Sequence, residues 1–226
     1  TPTDADEISH AVADLVKKLS GDEAVSGIGI GAAGFVDIDR STIIFAPNID
    51  WRDEPLGRDV AEHTGLPVVV ENDANAAAWG EFRFGAGHDA DDLLLVTVGT
   101  GVGGGIVHRG QLLRGGFGVA GEIGHLRLVP DGVECGCGQH GCLEQYGSGR
   151  ALVRAARERG FELSGPEITQ RAKDGDELCV ELLRDLGRAL GEGVASLAAV
   201  LDPSVIAFGG GVSDAGALVM DAIRES

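Results

Sequence analysis

The chain has 226 residues, 43% hydrophobic and only 4% aromatic, so it can bury a sizeable and mostly aliphatic core. A formal net charge of −18 excludes a surface built for nucleic acid or anionic membranes, which are held through Lys and Arg. No apolar run reaches the ~18 residues of a transmembrane helix, and the start, TPTDADEIS, lacks the basic and apolar regions of a signal peptide.

The elements follow from periodicity. Ile8, Val12, Leu15, Val16 and Leu19 recur at helical spacing after an acidic start. Residues 25–31 alternate as a strand, and residues 36 and 42–45 read as a hairpin around 37–41. A short helix is predicted over 56–64, a buried strand over 68–71, and a helix opening at Asn72. The apolar run LLLVTV, residues 93–98, is a strand, followed by the loop GTGVGGG and a second strand over 106–108. Beyond Ser148, helices are predicted over 150–159, 167–173 and 176–201, then a strand over 204–208 and a last helix over 215–224. Leu178, Leu182, Leu186, Leu190 and Val194 form a stripe on the long helix. Its Gly187, Gly191 and Gly193 each cost about 1 kcal/mol relative to Ala, which close packing against a neighbour would explain. With 37 glycines set between strand-like and helix-like runs, the pattern is that of an α/β protein with functional turns.

The densest chemistry lies in GEIGHLRLVPDGVECGCGQHGCLEQYGSG, residues 121–149. Cys135, Cys137 and Cys142 fall within eight residues, with His125 upstream. Three thiolates and an imidazole are the ligand set of a closed tetrahedral zinc site. His140 is the rival fourth ligand, but four ligands within so short a span would be strained. The bland alternative is a set of free buried thiols; Cys179, among leucines on a helix, is read that way. Clustered cysteines fit a reducing compartment, and the cytoplasm is expected. Any phosphate must be held locally, by a metal ion or by backbone N–H groups such as those of Gly99, Gly101, Gly103 and Gly104, with the Thr100 hydroxyl beside them. A tight β-hairpin is the alternative for that loop. Gly209, Gly210 and Gly211 follow a strand, where open α/β sheets bind ligands; an ordinary turn would look the same. In VVVENDANAAAWGE, a strand delivers Asn72 and Asp73 to a helix start, so Asp73 is either a helix cap or a carboxylate able to take a proton from a substrate hydroxyl. Asn48, in FAPNIDW, is a turn residue unless other motifs claim it.

Together GTGVGGG, ENDANAAAWGE, GEIGH and CGCGQHGCLEQYGSG resemble the ROK family of sugar kinases and repressors, within it most closely the actinobacterial type of glucokinase. The resemblance implies an α/β, actin-like ATPase (ribonuclease H-like) fold of two domains with an inserted zinc-binding loop. Residues 1–73 would be the remainder of the small domain and 74–226 the large one, with the zinc motif over 125–142. It implies ATP-dependent phosphorylation of the glucose 6-hydroxyl, with Asp73 as base and Asn48, Asn72, Asp73, Glu122, His125 and Glu144 around the sugar. Gly99, Thr100, Gly101, Gly103, Gly104, Gly209, Gly210 and Gly211 would serve ATP. Structural zinc would be held by His125, Cys135, Cys137 and Cys142, and Mg²⁺ would come with ATP. Another hexose, or the sensing domain of a repressor, are the alternatives. A dimer or tetramer is implied, with no nucleic-acid or membrane partner for the kinase. The family's Asp-x-Gly-Gly-Thr phosphate turn is not in this sequence, and a polypeptide of this length alone is expected to be inactive.

Overall fold

The structure, a computed structural model, describes residues 5–21, 24–46, 49 and 51–226. The apolar spacing of the first segment forms α1 (Ala5–Ser20), which packs on α2 (Leu56–Thr64). Strands β1 (Ile28–Ala32) and β5 (Val68–Asn72) pair in parallel, Ile28 opposite Val68 through Ala32 opposite Asn72. A second, antiparallel sheet runs β2 (Phe35–Val36), β3 (Ile43–Ala46), β4 (Trp51–Glu54). The β2–β3 turn is closed by Asp37, whose carboxylate accepts the N–H groups of Ser41 and Thr42 at 2.9 and 3.0 Å. Burial would raise that carboxyl, but those bonds and the Arg114 charge outweigh it and lower it. Val36, Ile43, Trp51, Leu56, Val60 and Val70 make one apolar cluster, with Ile8 and Val12 of α1 against it. Strand β4 has no alternating apolar pattern; its pairing with β3 makes it a strand.

Helix α3 (Asp73–Phe84) leads to the four-stranded sheet, ordered β8–β7–β6–β9. Here β6 (Leu93–Val98) and β7 (Val102–His108) form an antiparallel hairpin, β8 (Gln111–Leu112) flanks β7, and β9 (Val205–Gly209) lies parallel to β6. The predicted loop over 99–105 is mostly strand. Only Gly99–Gly101 turn, because Val98 pairs directly with Val102. The β7 glycines alternate: Cβ atoms on Gly103 and Gly105 would meet Ala74 and Ala78 of α3, while one on Gly104 would meet Ile123 on the other face.

The remaining helices are α4 (Glu144–Gly147), α5 (Gly149–Glu158), α6 (Gly165–Lys173), α7 (Glu177–Leu201) and α8 (Ala217–Glu225), with 3-10 turns at Ile123–His125 and Gly211–Ala215. Helix α6 starts earlier than expected because Ser164 and Glu167 form a reciprocal capping box. The α7 leucines Leu182, Leu186 and Leu190 are buried in the larger core, with Cys179 among them. The α7 glycines admit neighbours at short range: a Cβ on Gly187 would lie 2.7 Å from Ala222 Cβ, and one on Gly193 2.8 Å from Leu143. Among the described residues no helix is long and apolar enough to cross a membrane.

The approach of α3 to β7 can be tested directly. A Cβ on Gly105 would collide with Ala78 and lie 2.8 Å from the Ala74 carbonyl oxygen. Gly105→Ala should therefore destabilise the protein by about 1–3 kcal/mol in denaturant unfolding, the usual cost of overpacking.

Candidate functional site

The site begins where β5 runs into α3. Asn72 is the N-cap of α3: its side-chain oxygen accepts the N–H groups of Ala74 and Asn75, both at 3.0 Å, and its amide nitrogen donates to the Gly34 carbonyl at 3.1 Å. That capping leaves the Asp73 carboxylate exposed on the first turn of α3, where among the described residues its Oδ1 accepts the Ala74 N–H at 2.9 Å. Asn48 lies outside the described residues.

Across β7 sits the turn Gly121–His125. Gly121 has φ of +96°, in the region that favours glycine, and a Cβ on Gly124 would collide with the Val102 carbonyl. The turn is therefore pressed onto β7, with Ile123 buried and Glu122 and His125 beside it half-buried. From there two arms zip together: Leu128 N–H donates to Gly141 O and Leu143 N–H to Leu126 O, each at 2.7 Å. The folded loop gathers His125, Cys135, Cys137 and Cys142, whose ligand atoms all lie within 4.8 Å of one another. His125 Nδ1 is 3.7 Å from Cys135 Sγ, and Cys137 Sγ is 3.7 Å from Cys142 Sγ. A tetrahedral ion with Zn–S bonds near 2.3 Å needs sulfur–sulfur edges of about 3.8 Å, so the four groups fit zinc. His140 turns away, its Nδ1 lying 3.2 Å from the Gly132 carbonyl.

The thiols are unevenly tuned. Burial would raise Cys137, but the Gln139 backbone bond and the thiols of Cys135 and Cys142 outweigh it and lower it. Cys142 is pushed up to about 12, by burial first and then by hydrogen bonding to Cys137 and Cys135. A divalent cation would offset that cost by binding all three as thiolates, releasing protons as it does so.

The same loop ends on Glu144. Leu143, fully buried against the gap left by Gly193, seats α4 so that Glu144 faces the β6–β7 turn. Glu144 Oε2 accepts the Val102 N–H at 3.1 Å, and a Cβ on Gly101 would collide with it. Gly99 and Thr100 are exposed at the turn, whose carbonyls accept from the α5 start: Gly149 N–H to Gly99 O at 2.8 Å and Arg150 Nε to Thr100 O at 3.3 Å. Gly103 and Gly104 lie instead inside β7, and their small size serves packing. Gly209 ends β9 beside Thr97 of β6. Gly210 follows with φ of +92°, a Cβ there meeting Val98 O, and Gly211 opens the next turn. Both glycine turns thus stand at the carboxyl ends of adjacent parallel strands.

Three residues outside the sequence reading also gather here. Glu71 and Asn75 are buried polar groups flanking Asn72 and Asp73, and Arg114 reaches Glu71 from the segment after β8. The signal for Glu71 was present, as an acid closing an apolar strand. Arg114 had none, since only folding brings it to β5.

Asp73, Glu122 and Glu144 converge into one acidic face. Glu122 is raised to about 7, by burial first and then by the charges of Asp73 and Glu144. The folded protein therefore holds a proton there that the unfolded chain, titrating near 4.5, has lost. Between those two values the folded state binds more protons, so this group's contribution to stability falls as pH rises and levels off above 7. Glu122→Gln should lose that slope: its melting temperature should gain on the wild type as pH rises from 4.5 to about 7 and keep the advantage above it.

The whole chain, residues 1–226, matches the ROK family. It is 48% identical to the glucokinase of Streptomyces coelicolor, over 100% of this chain and 77% of that protein. It is 32% identical to the xylose repressor of Caldicellulosiruptor bescii, over 98% of this chain and 60% of the repressor. Among solved structures, a ROK family glucokinase from Streptomyces griseus in complex with glucose and AMPPNP superposes with a TM-score of 0.89 at 52% identity, over 100% of this chain and 78% of that one. The architecture is the actin-like ATPase fold of these kinases. A full-length family match, the Cys₃His cluster and the Glu-Asn-Asp strand end agree: the chain belongs to the ROK family.

Proposed function

We propose that this protein catalyses ATP-dependent phosphorylation of glucose at its 6-hydroxyl, giving glucose 6-phosphate and ADP. One observation carries the reading: a single residue, Glu144, belongs to the acidic face with Asp73 and Glu122 and also accepts the N–H of Val102, the residue that follows the glycine turn at Gly99–Gly101. A polyol site and a phosphate turn adjoin there, as transfer between them requires. The glucokinases among the relatives support the same substrate pair.

Phosphoryl transfer asks a protein mainly to position groups and stabilise charge. Asp73, which among the described residues is bonded through Oδ1, turns its other oxygen to the sugar hydroxyl, which it holds in line and deprotonates late. A free carboxylate is far too weak a base to ionise that hydroxyl beforehand. Asn72, whose oxygen caps α3, has one amide hydrogen left for the sugar; Asn48 is assigned by resemblance. Glu122, Glu144 and the Nε2 of His125 complete the polyol contacts. Backbone N–H groups of Thr100 and Gly101 serve the phosphates, while Gly99 shapes the turn by donating its own N–H to the Gly101 carbonyl at 3.0 Å; Gly209, Gly210 and Gly211 lie toward the adenosine. Mg²⁺ arriving with ATP supplies positive charge that a chain of net charge −18 does not. His125, Cys135, Cys137 and Cys142 hold structural zinc, whose part is to fix His125 and Glu144 in register. Residues 1–73 and 74–226 are the two domains bracketing the site, in a cytoplasmic dimer or tetramer.

In the full-length protein, Asp73→Asn should keep its fold while hexose-dependent ADP release falls about 10²–10⁴-fold, the range of general-base contributions. Undiminished turnover would sink the assignment of Asp73. Kinetics with glucose, mannose, fructose and N-acetylhexosamines side by side decide the sugar, and glucose should have the highest kcat/KM. Elemental analysis should find about one zinc per chain, and chelation should weaken glucose binding by about 10–100-fold as well as lowering the melting temperature. Full glucose affinity in zinc-free protein would refute the link between metal and sugar.

A further inference from the structure

The motif that supplies Asp73 also supplies two buried polar residues to which the reaction gives no part. Glu71, 5% exposed, ends β5, and Asn75, 2% exposed, lies on α3. Glu71 Oε1 accepts the Asn72 N–H at 3.0 Å and the Asn75 amide at 3.3 Å. Its Oε2 lies 3.0 Å from Arg114 Nε and 3.3 Å from Arg40 Nε. The Arg114 Nε–H is not aimed along that line, so the contact is one of charge rather than a directed hydrogen bond. Arg114 also donates through Nη1 to Ile38 O at 2.9 Å and through Nη2 to Asp37 O at 2.8 Å. Its guanidinium therefore touches the end of β5 and both carbonyls of the β2–β3 turn, a three-way reach that suits a rigid planar fork.

Arg114 is equally fixed to the sugar side. Its carbonyl accepts the Ala120 N–H at 3.0 Å, closing the loop that delivers Gly121 and Glu122. A Cβ on Gly121 would lie 3.3 Å from Asn75 Oδ1, and one on Gly118 would lie 2.6 Å from Val36 O. The loop is thus pressed between β2 and α3.

We propose that Glu71 and Arg114 are a positioning pair: an ion pair shielded from water that sets the strand end bearing Asp73 in register with the segment bearing Glu122 and His125. A buried ion pair stabilises a fold little more than apolar residues of equal volume would, so its use here lies in fixing place. Glu71 bonds the N–H of Asn72, the residue between itself and Asp73, and Arg114 binds the residue before Gly121. A displacement at the pair therefore reaches both sides of the reacting hydroxyl. The effect on turnover rests on the kinase reading; the effect on register does not.

The test uses the full-length protein with Glu71→Gln, Arg114→Met and Arg114→Lys, counting sites by glucose calorimetry. Each of the first two should lower kcat per glucose-binding site about 100-fold, as a misplacement near 1 Å does. Glucose affinity should change less than about threefold, because the direct contacts remain. Arg114→Lys keeps the charge beside Glu71 but not the fork, and should recover about 10-fold of the loss; it also carries the test if Arg114→Met does not fold. The double variant Glu71→Gln/Arg114→Met should be no slower than the slower single one. A kcat per site within twofold of wild type in both single variants, or additive losses in the double, overturns the proposal. Amide hydrogen exchange reads the register without turnover: amides of residues 72–75 and 37–42 should exchange about 10-fold faster in Arg114→Met, or in Arg114→Lys if that alone folds. Unchanged exchange overturns the proposal even if no hexose is phosphorylated, an outcome that by itself sinks only the kinase reading.

Discussion

The site depends on how closely two segments approach one strand. Strand β7 carries three successive glycines, and their alternation makes room on both faces at once. Helix α3 lies against Gly103 and Gly105, and the turn at Ile123 lies against Gly104. The Asp73 helix and the Glu122–His125 turn are thereby held on opposite faces of a single backbone. A side chain at any of these three positions would push one of them away and open the acidic face. The glycines that read as a phosphate loop are in large part the spacer that lets α3 and the Ile123 turn close on β7.

A second constraint is charge. Carboxylates at Asp73, Glu122 and Glu144 converge, in a chain whose net charge is already −18. Such a face is costly, and the raised Glu122 carboxyl eases part of the repulsion by favouring its protonated form. The thiol cluster answers in the same way: burial and its thiol neighbours raise Cys142, so the cluster resists full ionisation. Among the described residues, the most shielded ion pair is Arg114 against Glu71, where geometry fixes it. Polar order here depends on a few directed contacts set in aliphatic packing.

Local patterns were legible wherever neighbouring residues decide the outcome. Helix α2 ends where its periodicity ends, and Gly187 and Gly193 in α7 meet Ala222 and Leu143 as their cost in a helix implied. The spacing of Cys135, Cys137, Cys142 and His125 announced a cluster that the folded loop assembles. Strand β4 was not legible, because WRDE becomes a strand only by pairing with β3. The start of β7 was hidden because glycine lacks strand propensity, and the partners that demand it there, Ala74, Ala78 and Ile123, are distant in sequence.

The sequence by itself determined the family, the acidic character, the Cys₃His grouping of the loop and the carboxylate at the strand end, since each rests on residue type and short spacing. Tertiary structure decided the rest. It made Asn72 rather than Asp73 the helix cap, turned His140 away from the cluster, and narrowed the glycine loop to three residues. It joined Glu144 to Val102 at the end of the β6–β7 turn and brought Arg114 to Glu71. Those outcomes depend on which backbone and side-chain groups meet across the fold, and a polar atom's role is fixed only when its partner is.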